Sequence, residues 1–326
     1  MNVLMVQASG KRGQLAPWVQ RQVRALAELG VDTETFFYRD RRSLRGILSG
    51  GKGLRAAAKA CGADLVHVHY GALQAFIAVL FSPVPVVVSY CGSDVMGNYD
   101  SAGTPTLSGR LSVLLSRLAG LRARRTLAKS DQLRNRLWGA RVRQTCEVIP
   151  NGVDLSTFRW MPREEARAEL GWGSEPVVLY MRRTGAWVKD PDLARATFEV
   201  VHQLMPTATL YEVENEPPDR MPFFLNAADV LLLTSRHEGS SNLVKEALAC
   251  NLPVVSTNCG DTRDRLQGVR HSYVVEGRKP SDLAAHVVEI LRAGVRSDGS
   301  AHLADLEDAR IAARVKAFYD SALTTR

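Results

Sequence analysis

Residues 229–260 contain the side chains best suited to chemistry in this 326-residue chain. The apolar run Val230–Leu233 leads into a polar loop, Thr-Ser-Arg-His-Glu-Gly-Ser-Ser, and then into a helical pattern that starts at residues 240–242. Small residues at a helix start leave backbone N–H groups open to an anion such as a phosphate. Glu238 and Glu246 can accept hydrogen bonds from vicinal hydroxyls. A helix cap and a solvated glutamate would explain Glu246 alone, but the whole arrangement predicts a site for a sugar, phosphates and a ribose.

Other combinations of polar residues do not amount to a metal site. His67 and His69 share one face of a predicted strand, but no third ligand accompanies them. His237-Glu238 lacks the second histidine of an HExxH helix, and no Walker loop or dinucleotide-binding glycine motif is present. Asp190-Pro-Asp192 has the residue types typical of a helix first turn. The sequence therefore predicts neither a metal ion nor an organic cofactor.

The composition is that of a folded protein, with 45% hydrophobic and 23% charged residues and a formal net charge of +8. Residues 1–170 carry 24 Lys and Arg against 13 Asp and Glu, whereas residues 171–326 carry 18 against 21. The basic first half indicates an anionic partner or simply a solvated basic face. Aromatic residues are not interleaved with the arginines, so nucleic acid is not expected as the partner. An anionic membrane surface or an acidic sugar fits better.

Cysteine usage and apolar runs indicate the compartment. The five cysteines are odd in number, widely spaced and without a CxxC pair, which is typical of free thiols in a reducing compartment. No basic segment or cleavage site precedes the first predicted strand, so a signal peptide is not expected. Pro83 and Pro85 interrupt the longest apolar run, which therefore predicts a buried helix and strand and not a membrane span. We expect a cytoplasmic protein, with attachment to the inner face of the membrane as an option.

The order of apolar runs predicts the fold. Short unalternating apolar runs alternate with longer amphipathic ones, and this pattern restarts after residue 150. Such strands belong to parallel sheets covered on both faces. We therefore expect an α/β fold with two doubly wound Rossmann-like domains that face a cleft, with ligands at the carboxyl ends of the strands. The predicted division is a first domain at 1–155, a linker at 156–173, a second domain at 174–300, and a C-terminal helix at 301–326 that packs back on the first domain.

A basic helix is predicted over residues 107–128. Its leucines recur at near-helical spacing, and a basic amphipathic helix of this kind can lie on an anionic membrane. The competing interpretation is that the leucines face the core of the first domain. The leucines are Leu111, Leu114, Leu115, Leu118 and Leu121, and the cations are Arg110, Arg117, Arg122, Arg124, Arg125 and Lys129.

Motifs along nearly the whole chain resemble those of the retaining family-4 glycosyltransferases, which have the GT-B fold. The Glu238-x7-Glu246 block resembles their Glu-x7-Glu signature, and Ile-Pro-Asn-Gly-Val-Asp at 149–154 resembles their interdomain segment. Gly92-Ser93-Asp94 resembles their acceptor-side loop. This resemblance implies a nucleotide-activated sugar held mainly by the second domain and an acceptor against the first. It also implies transfer with retention of configuration and without a metal ion.

The resemblance also implies roles for individual residues. Glu238 would contact the donor sugar, Lys189 would stabilise the leaving diphosphate, and Arg182 would be its arginine partner. Cys91 stands where many relatives have a histidine or an arginine. The expected nucleotide-sugar contacts are Gly239, Ser240, Ser241, Asn242, Leu243 and Glu246, and the expected acceptor-side residues are Gly13, His69, Gly92, Ser93, Asp94 and Asn151.

The predicted function is that of a metal-independent hexosyltransferase. It would move a sugar from a UDP- or GDP-sugar to a hydroxyl of a saccharide or lipid-linked acceptor, in surface polysaccharide or glycolipid synthesis. Two alternatives remain open at this point. One is a nucleotide-sugar epimerase-like enzyme, although a full set of acid and base residues is not evident. The other is a noncatalytic nucleotide-sugar-binding subunit, for which the departures at Cys91 and Arg182 leave room.

Overall fold

The computed structural model describes residues 1–7, 15–38, 43–182, 187–214 and 216–324. The chain divides into two compact units, each with its own parallel sheet. Unit 1 contains Met1–Tyr99, Pro105–Gly152 and Asp308–Arg326, and unit 2 contains Asp100–Thr104 and Val153–Glu307. Two parallel sheets flanked by helices confirm the predicted α/β class.

The sheet of unit 1 has six parallel strands in the order β2-β1-β3-β4-β5-β6. Every residue of β3 and β4 is buried, because helices cover both faces of the sheet. These strands therefore do not alternate between apolar and polar side chains. The strand bounds are β1 (Asn2–Gln7), β2 (Asp32–Phe37), β3 (Leu65–His69), β4 (Val86–Tyr90), β5 (Arg125–Ala128) and β6 (Glu147–Val148).

The sheet of unit 2 has five parallel strands in the order β11-β10-β9-β7-β8. In each unit the strand order reverses once, between β1 and β3 in unit 1 and between β7 and β9 in unit 2. The carboxyl ends of the strands at such a reversal are where open parallel sheets bind ligands. The strand bounds are β7 (Val177–Met181), β8 (Thr209–Val213), β9 (Val230–Leu233), β10 (Val254–Thr257) and β11 (Tyr273–Val275).

Fourteen α-helices surround the two sheets in the described part of the chain. None of the described helices is long and apolar enough to cross a bilayer. The helix α14 belongs to unit 1, where it packs against α1, and α8 lies within the stretch predicted as a linker. The helices are α1 (Pro17–Glu28), α2 (Leu44–Ala60), α3 (Ala72–Phe81), α4 (Ser93–Met96), α5 (Leu107–Arg122), α6 (Asp131–Arg134), α7 (Ala140–Thr145), α8 (Arg163–Leu170), α9 (Pro191–Leu204), α10 (Met221–Ala227), α11 (Asn242–Ala249), α12 (Thr262–Leu266), α13 (Pro280–Ala293) and α14 (Asp308–Thr324).

The predicted helix over residues 107–128 is wrong at its C-terminal end. The helix α5 ends at Arg122, and Arg125–Ala128 form β5, whose last residues are buried in the sheet. The predicted leucines also do not form a buried stripe, because Leu115 and Leu118 are half-buried and the other three are exposed. The helix buries its small residues against α3 and α4, because small side chains allow helices to approach closely. Its exposed leucines are Leu107, Leu111, Leu114 and Leu121.

Candidate functional site

Lys189 and Glu238 form an ion pair at the carboxyl end of the sheet in unit 2. Lys189 ends a 3-10 turn, Trp187–Lys189, that follows β7, and Glu238 lies in the loop after β9. Lys189 Nζ donates to Glu238 Oε1 at 2.6 Å, and Ser235 Oγ donates to the same oxygen at 2.8 Å. The two side chains are 20% and 17% exposed, so a small ligand can reach them although they are partly desolvated. The pair therefore lies where the strand order reverses, at the position expected for a ligand.

The N-terminus of α11 follows Glu238 directly in the chain. Ser241 is the N-cap, and its side chain makes no capping hydrogen bond. Gly239 and Leu243 are buried, while Ser240 and Asn242 are half-buried. The first backbone N–H groups of a helix have no partner within the helix, and the helix dipole adds partial positive charge there. Five of the six predicted nucleotide-sugar contacts, residues 239–243, thus lie in one turn that can bind an anion.

A buried polar network supports this turn. Lys245 is fully buried, and its Nζ donates to Ser240 Oγ at 3.1 Å. Ser240 Oγ in turn donates to Asp261 Oδ2 at 2.7 Å. Burial raises the pKa of Asp261 above its ordinary value, and the neighbouring Lys245 and Ser240 oppose that shift. Lys245 was not predicted as a site residue, and its only signal in the sequence is that a lysine stands on the face of α11 that carries apolar residues.

Glu246 lies in the middle of α11 and is half-buried. It is thus held on a regular helix whose other face is anchored in the core of unit 2 by residues such as Ala247 and Leu248. A side chain on such a helix has a better defined position than one on a loop. The arrangement fits a carboxylate that orients one part of a bound molecule.

Arg182 lies at the end of β7, and its guanidinium pairs with carboxylates of the neighbouring strand β8 and the residue after it. The distances are 3.5 Å from Nε to Glu212 Oε2 and 3.6 Å from Nη1 to Glu214 Oε2. The side chain is 40% exposed. Arg183, the neighbouring arginine, lies outside the described residues.

A second charged cluster near the pair was not predicted. Asp190 is buried, caps α9 by accepting from Leu193 N, and has a left-handed backbone with φ of 49°. Its carboxylate pairs with Arg236 and Arg278, and Arg236 also lies 4.4 Å from the ring centroid of Trp187. The helix start at Asp190-Pro191 confirms that the Asp-Pro-Asp segment opens a helix. The cluster fixes the backbone next to Lys189 and adds two arginines to this end of the sheet.

In unit 1, the predicted acceptor-side loop is built around Asp94. This carboxylate is fully buried and accepts from the backbone N–H of Gly71 at 2.8 Å and of Gly92 at 2.7 Å. It also accepts from Cys91 N at 3.1 Å. Burial raises the pKa of Asp94 and these amides lower it, with burial the larger cause. Asp94 therefore ties the turns after β3 and β4 together, and Ser93 Oγ is joined to Tyr70 Oη at 2.8 Å.

His69 is the last residue of β3 and is fully buried. Neither of its ring nitrogens has a hydrogen-bond partner in the described part of unit 1. The turn that follows is strained, since Tyr70 and Ala72 both have left-handed backbones, with φ of 78° and 58°. Such strain at the end of a strand is typical of sites where a side chain or backbone must be aimed.

Two further acceptor-side residues were predicted, Gly13 and Asn151. Gly13 lies outside the described residues. Asn151 is half-buried and lies at the end of the long middle segment of unit 1, which ends at Gly152. Among the described residues, no three His, Cys, Asp or Glu side chains are grouped as a metal site requires.

Sequence comparison assigns both halves of the chain to glycosyltransferases. A family model described as "Glycosyltransferase Family 4" matches residues 11–157, and one described as "Glycosyl transferases group 1" matches residues 189–293. The D-inositol 3-phosphate glycosyltransferase 1 of Catenulispora acidiphila is 28% identical over 273 residues. That match covers 71% of this chain and 63% of the relative, so the chain spans less than two thirds of the relative's length.

Solved structures support the same fold. Sucrose-phosphate synthase from Thermosynechococcus elongatus superposes with a TM-score of 0.78 at 16% identity, covering 98% of both chains. Anabaena HepE in complex with UDP and glucose superposes with a TM-score of 0.70 at 16% identity, covering 98% of this chain and 100% of HepE. The two-sheet architecture, the two family models and the relatives together show that this chain belongs to the family-4 glycosyltransferases with the GT-B fold.

Proposed function

We propose that the protein is a retaining glycosyltransferase that takes a sugar from a UDP- or GDP-sugar. The observation that carries this proposal is the Lys189–Glu238 pair, 2.6 Å apart, beside the uncapped N-terminus of α11. A cation and a row of backbone N–H groups suit a diphosphate, and a nearby carboxylate suits the sugar hydroxyls. Glu246, further along α11, would accept hydrogen bonds from the ribose hydroxyls.

Donor binding would exchange the partners of this ion pair. The ammonium of Lys189 would pair with the diphosphate. Glu238 would then be free to accept a hydrogen bond from a hydroxyl of the donor sugar. As the bond between the sugar and the diphosphate breaks, negative charge grows on the leaving group. A cation fixed beside it stabilises that charge more in the transition state than in the ground state, which is what accelerates a reaction. Arg182 would join it only after leaving Glu212 and Glu214, its partners in the free chain.

This electrostatic role of Lys189 would replace a metal ion, so we propose a metal-independent hexosyltransferase. The test is an incubation with UDP- and GDP-hexoses, with and without EDTA. The proposal requires release of the nucleoside diphosphate at the same rate in both. Loss of turnover in EDTA, with recovery on addition of a divalent cation, would contradict metal independence.

We further propose that the acceptor is a saccharide or a lipid-linked hydroxyl compound bound to unit 1, as in surface polysaccharide or glycolipid synthesis. The relative from Catenulispora is named for D-inositol 3-phosphate, so that compound belongs in the acceptor panel beside simple saccharides. The measurement is transfer of labelled sugar to each acceptor.

We also propose that unit 1 contacts an anionic membrane. The outward face of α5 supports this proposal. Leu107 and Leu111 are 81% and 55% exposed, and Trp138 nearby is 40% exposed. Arg117 lies 5.1 Å from the ring centroid of Trp138, and Arg110 is exposed on the same helix. Beside them lies a cavity of about 250 Å³ lined by Met96, Tyr99, Pro105, Val113, Leu114 and Trp138 among others. Apolar side chains bordered by arginines match the interface of an anionic bilayer, where each cation contributes about 1 kcal/mol.

Vesicle sedimentation tests this surface. Arg124 donates to the Ala322 carbonyl and Arg125 pairs with Glu147, so these two arginines serve unit 1 itself and are poor test positions. We expect wild type to bind vesicles with anionic lipid at low salt. Replacing Leu107 and Leu111 by Ser should abolish that binding, whereas exposed Leu204 in unit 2, replaced by Ser, should not change it. A wild-type protein that stays in the supernatant would contradict the membrane proposal and favour a soluble acceptor.

Two other activities remain as outcomes of the donor assay. An epimerase-like enzyme would return a sugar inverted at C2, and a noncatalytic subunit would bind nucleotide-sugar without turnover. The products therefore distinguish the three, because only the transferase moves the sugar to an acceptor.

A further inference from the structure

Lys129 is a buried lysine at the carboxyl end of the sheet in unit 1. It directly follows β5, is 2% exposed, and its ammonium lies 5.5 Å from the ring centroid of Trp18. Burial lowers its pKa to about 8, so it is still mostly protonated at pH 7. Within the described residues its ammonium has no hydrogen-bond or ion-pair partner, and only its backbone N–H donates, to the Tyr90 carbonyl at 3.1 Å. A buried cation without a counter-charge is unfavourable, so an anion at this place would remove a cost that the free protein bears.

His69 lies near Lys129 and also has unused hydrogen-bonding capacity. It is 0% exposed, and both of its ring nitrogens are without partners among the described residues. The ring centroid of His69 is 5.3 Å from that of Trp18, the residue that also contacts Lys129. Burial first, and then the charges of His67 and Lys129, hold the pKa of His69 well below its ordinary value. The ring is therefore neutral and can donate one N–H.

The first turn of α1 adds a third feature that favours negative charge. Trp18 belongs to this turn, Ala16 at the N-cap offers no side-chain cap, and the turn contains no acidic residue. The helix has twelve residues, so its N-terminus carries the usual partial positive charge. It follows β1 in the chain, and β1 and β3 flank the reversal of strand order in unit 1.

Among the residues that the structure describes, none forms an ion pair with the ammonium of Lys129. The carboxylate of Asp94 is held by the backbone N–H groups of Gly71, Cys91 and Gly92. The side chain of Cys91 lies near the ammonium, and burial raises its pKa to about 12, so the thiol is neutral.

We propose that Lys129, His69 and the first turn of α1 form a subsite for an anionic group, a phosphate monoester or a carboxylate, on the acceptor. That this anion belongs to the acceptor rests on the proposed glycosyltransferase function, whereas the subsite itself rests on the geometry of unit 1. Acceptors without an anionic group would leave the ammonium and His69 buried and unpaired, so the subsite would select against them.

Thermal unfolding in the presence of inorganic phosphate tests the subsite. A saturating nucleoside diphosphate is present throughout, so that phosphate cannot act by binding beside Lys189. The variants are Lys129→Met, which keeps the shape and removes the charge, and Lys52→Met on the exposed face of α2 as the matched control. We expect phosphate to raise the unfolding temperature of wild type and Lys52→Met. For the same rise, Lys129→Met should need at least a tenfold higher phosphate concentration. A parallel titration with acetate distinguishes the two anions.

Equal phosphate effects on wild type and Lys129→Met would overturn the subsite. The nucleoside diphosphate alone gives an independent result. Suppose that the nucleoside diphosphate stabilises wild type and Lys129→Met equally, and that phosphate also raises both unfolding temperatures equally. The transferase proposal then stands and the subsite does not. If no nucleoside diphosphate binds, the transferase proposal fails whatever phosphate does.

A second measurement needs no variant. Trace acetic anhydride labels lysines in proportion to their reactivity, and peptide mass spectrometry compares Lys129 with Lys52 in the wild-type protein. Bound phosphate should slow the labelling of Lys129 at least fivefold and leave Lys52 unchanged. Equal labelling of Lys129 with and without phosphate would contradict the proposal.

Discussion

Lys189→Met is the change that most directly addresses the ion pair in unit 2. Methionine keeps most of the length of lysine and removes the charge that donates to Glu238 Oε1 at 2.6 Å. The proposal assigns this charge to the leaving diphosphate, so its removal should affect turnover more than folding. Lys279→Met, on an exposed lysine of the same unit, is the matched control.

The expected sizes follow from the surroundings of the pair. Breaking a fully buried pair costs about 3–5 kcal/mol and an exposed pair contributes about 0–1 kcal/mol. These side chains are 20% and 17% exposed, and Ser235 still donates to Glu238, so we expect a stability loss of about 1–2 kcal/mol. A charged hydrogen bond to the diphosphate is worth about 1.5–3 kcal/mol, or about ten- to a hundredfold in nucleotide affinity. Loss of a transition-state charge partner should lower kcat by about 10²- to 10³-fold.

Three measurements separate these effects. Urea unfolding gives the stability, calorimetry gives the nucleoside diphosphate affinity, and initial rates of donor turnover give kcat. A Lys189→Met protein that is folded, binds nucleotide more weakly and turns over at wild-type rate would refute the assignment of this lysine to the leaving group. The same holds if Lys279→Met loses as much activity, because the loss would then reflect the charge of the unit as a whole.

Three further predictions concern other residues. Glu246→Gln should weaken binding of the cognate nucleoside diphosphate by about ten- to a hundredfold, measured by calorimetry, since the amide loses charge-assisted hydrogen bonds to the ribose; an unchanged affinity would remove Glu246 from the site. Lys129→Met should raise thermal stability at pH 7 by a few degrees, because the pKa of Lys129 is lowered from 10.5 to about 8 and the charged form is therefore the costly one. The stability difference between Lys129→Met and wild type should be largest below about pH 8 and should disappear as the pH rises towards 10.5. Over that range the lysine keeps its proton in the unfolded wild type but not in the folded one. A difference that stays constant with pH would contradict this prediction. His67, whose pKa burial lowers to about 3, should make wild type lose about 1.6 kcal/mol of stability between pH 6.5 and pH 5, since the unfolded chain takes up a proton that the folded chain does not bind. Urea unfolding of His67→Asn at these two pH values should lack that part of the loss, and an unchanged loss would show that other groups cause it.

The strands and the order of elements could be predicted because apolar runs such as Val230–Leu233 are long enough to be unambiguous. The strand β11 was missed since Tyr273–Val275 is only three residues long. The strand β5 was merged into the preceding helix because its sequence, Arg-Thr-Leu-Ala, continues the spacing of α5. Periodicity identifies a stripe but not the side that faces the core. In α5 the small-residue stripe, which includes Ser116 and Ala119, is buried and the leucines are not.

The candidate site was predictable to the extent that one contiguous segment carries it. Residues 238–246 hold both glutamates and the helix N-terminus, so the resemblance could be read residue by residue. The partners that come from other elements could not be predicted in that way. Arg278 reaches Asp190 across 88 positions of sequence, and only the sheet order brings them together. Lys129 and Lys245 were missed as buried cations because lysine is almost always exposed, and sequence alone gives no reason to bury one.

Donor turnover with analysis of the sugar product tests the central claim most directly. Wild type and Lys189→Met are incubated with UDP- and GDP-hexoses and the acceptor panel, and the products are examined for nucleoside diphosphate release and anomeric configuration. The proposed function predicts that wild type releases the diphosphate from one donor, transfers the sugar with retained configuration, and loses this activity in Lys189→Met. Binding of nucleotide-sugar without turnover, transfer with inverted anomeric configuration, or release of a sugar inverted at C2 would contradict it.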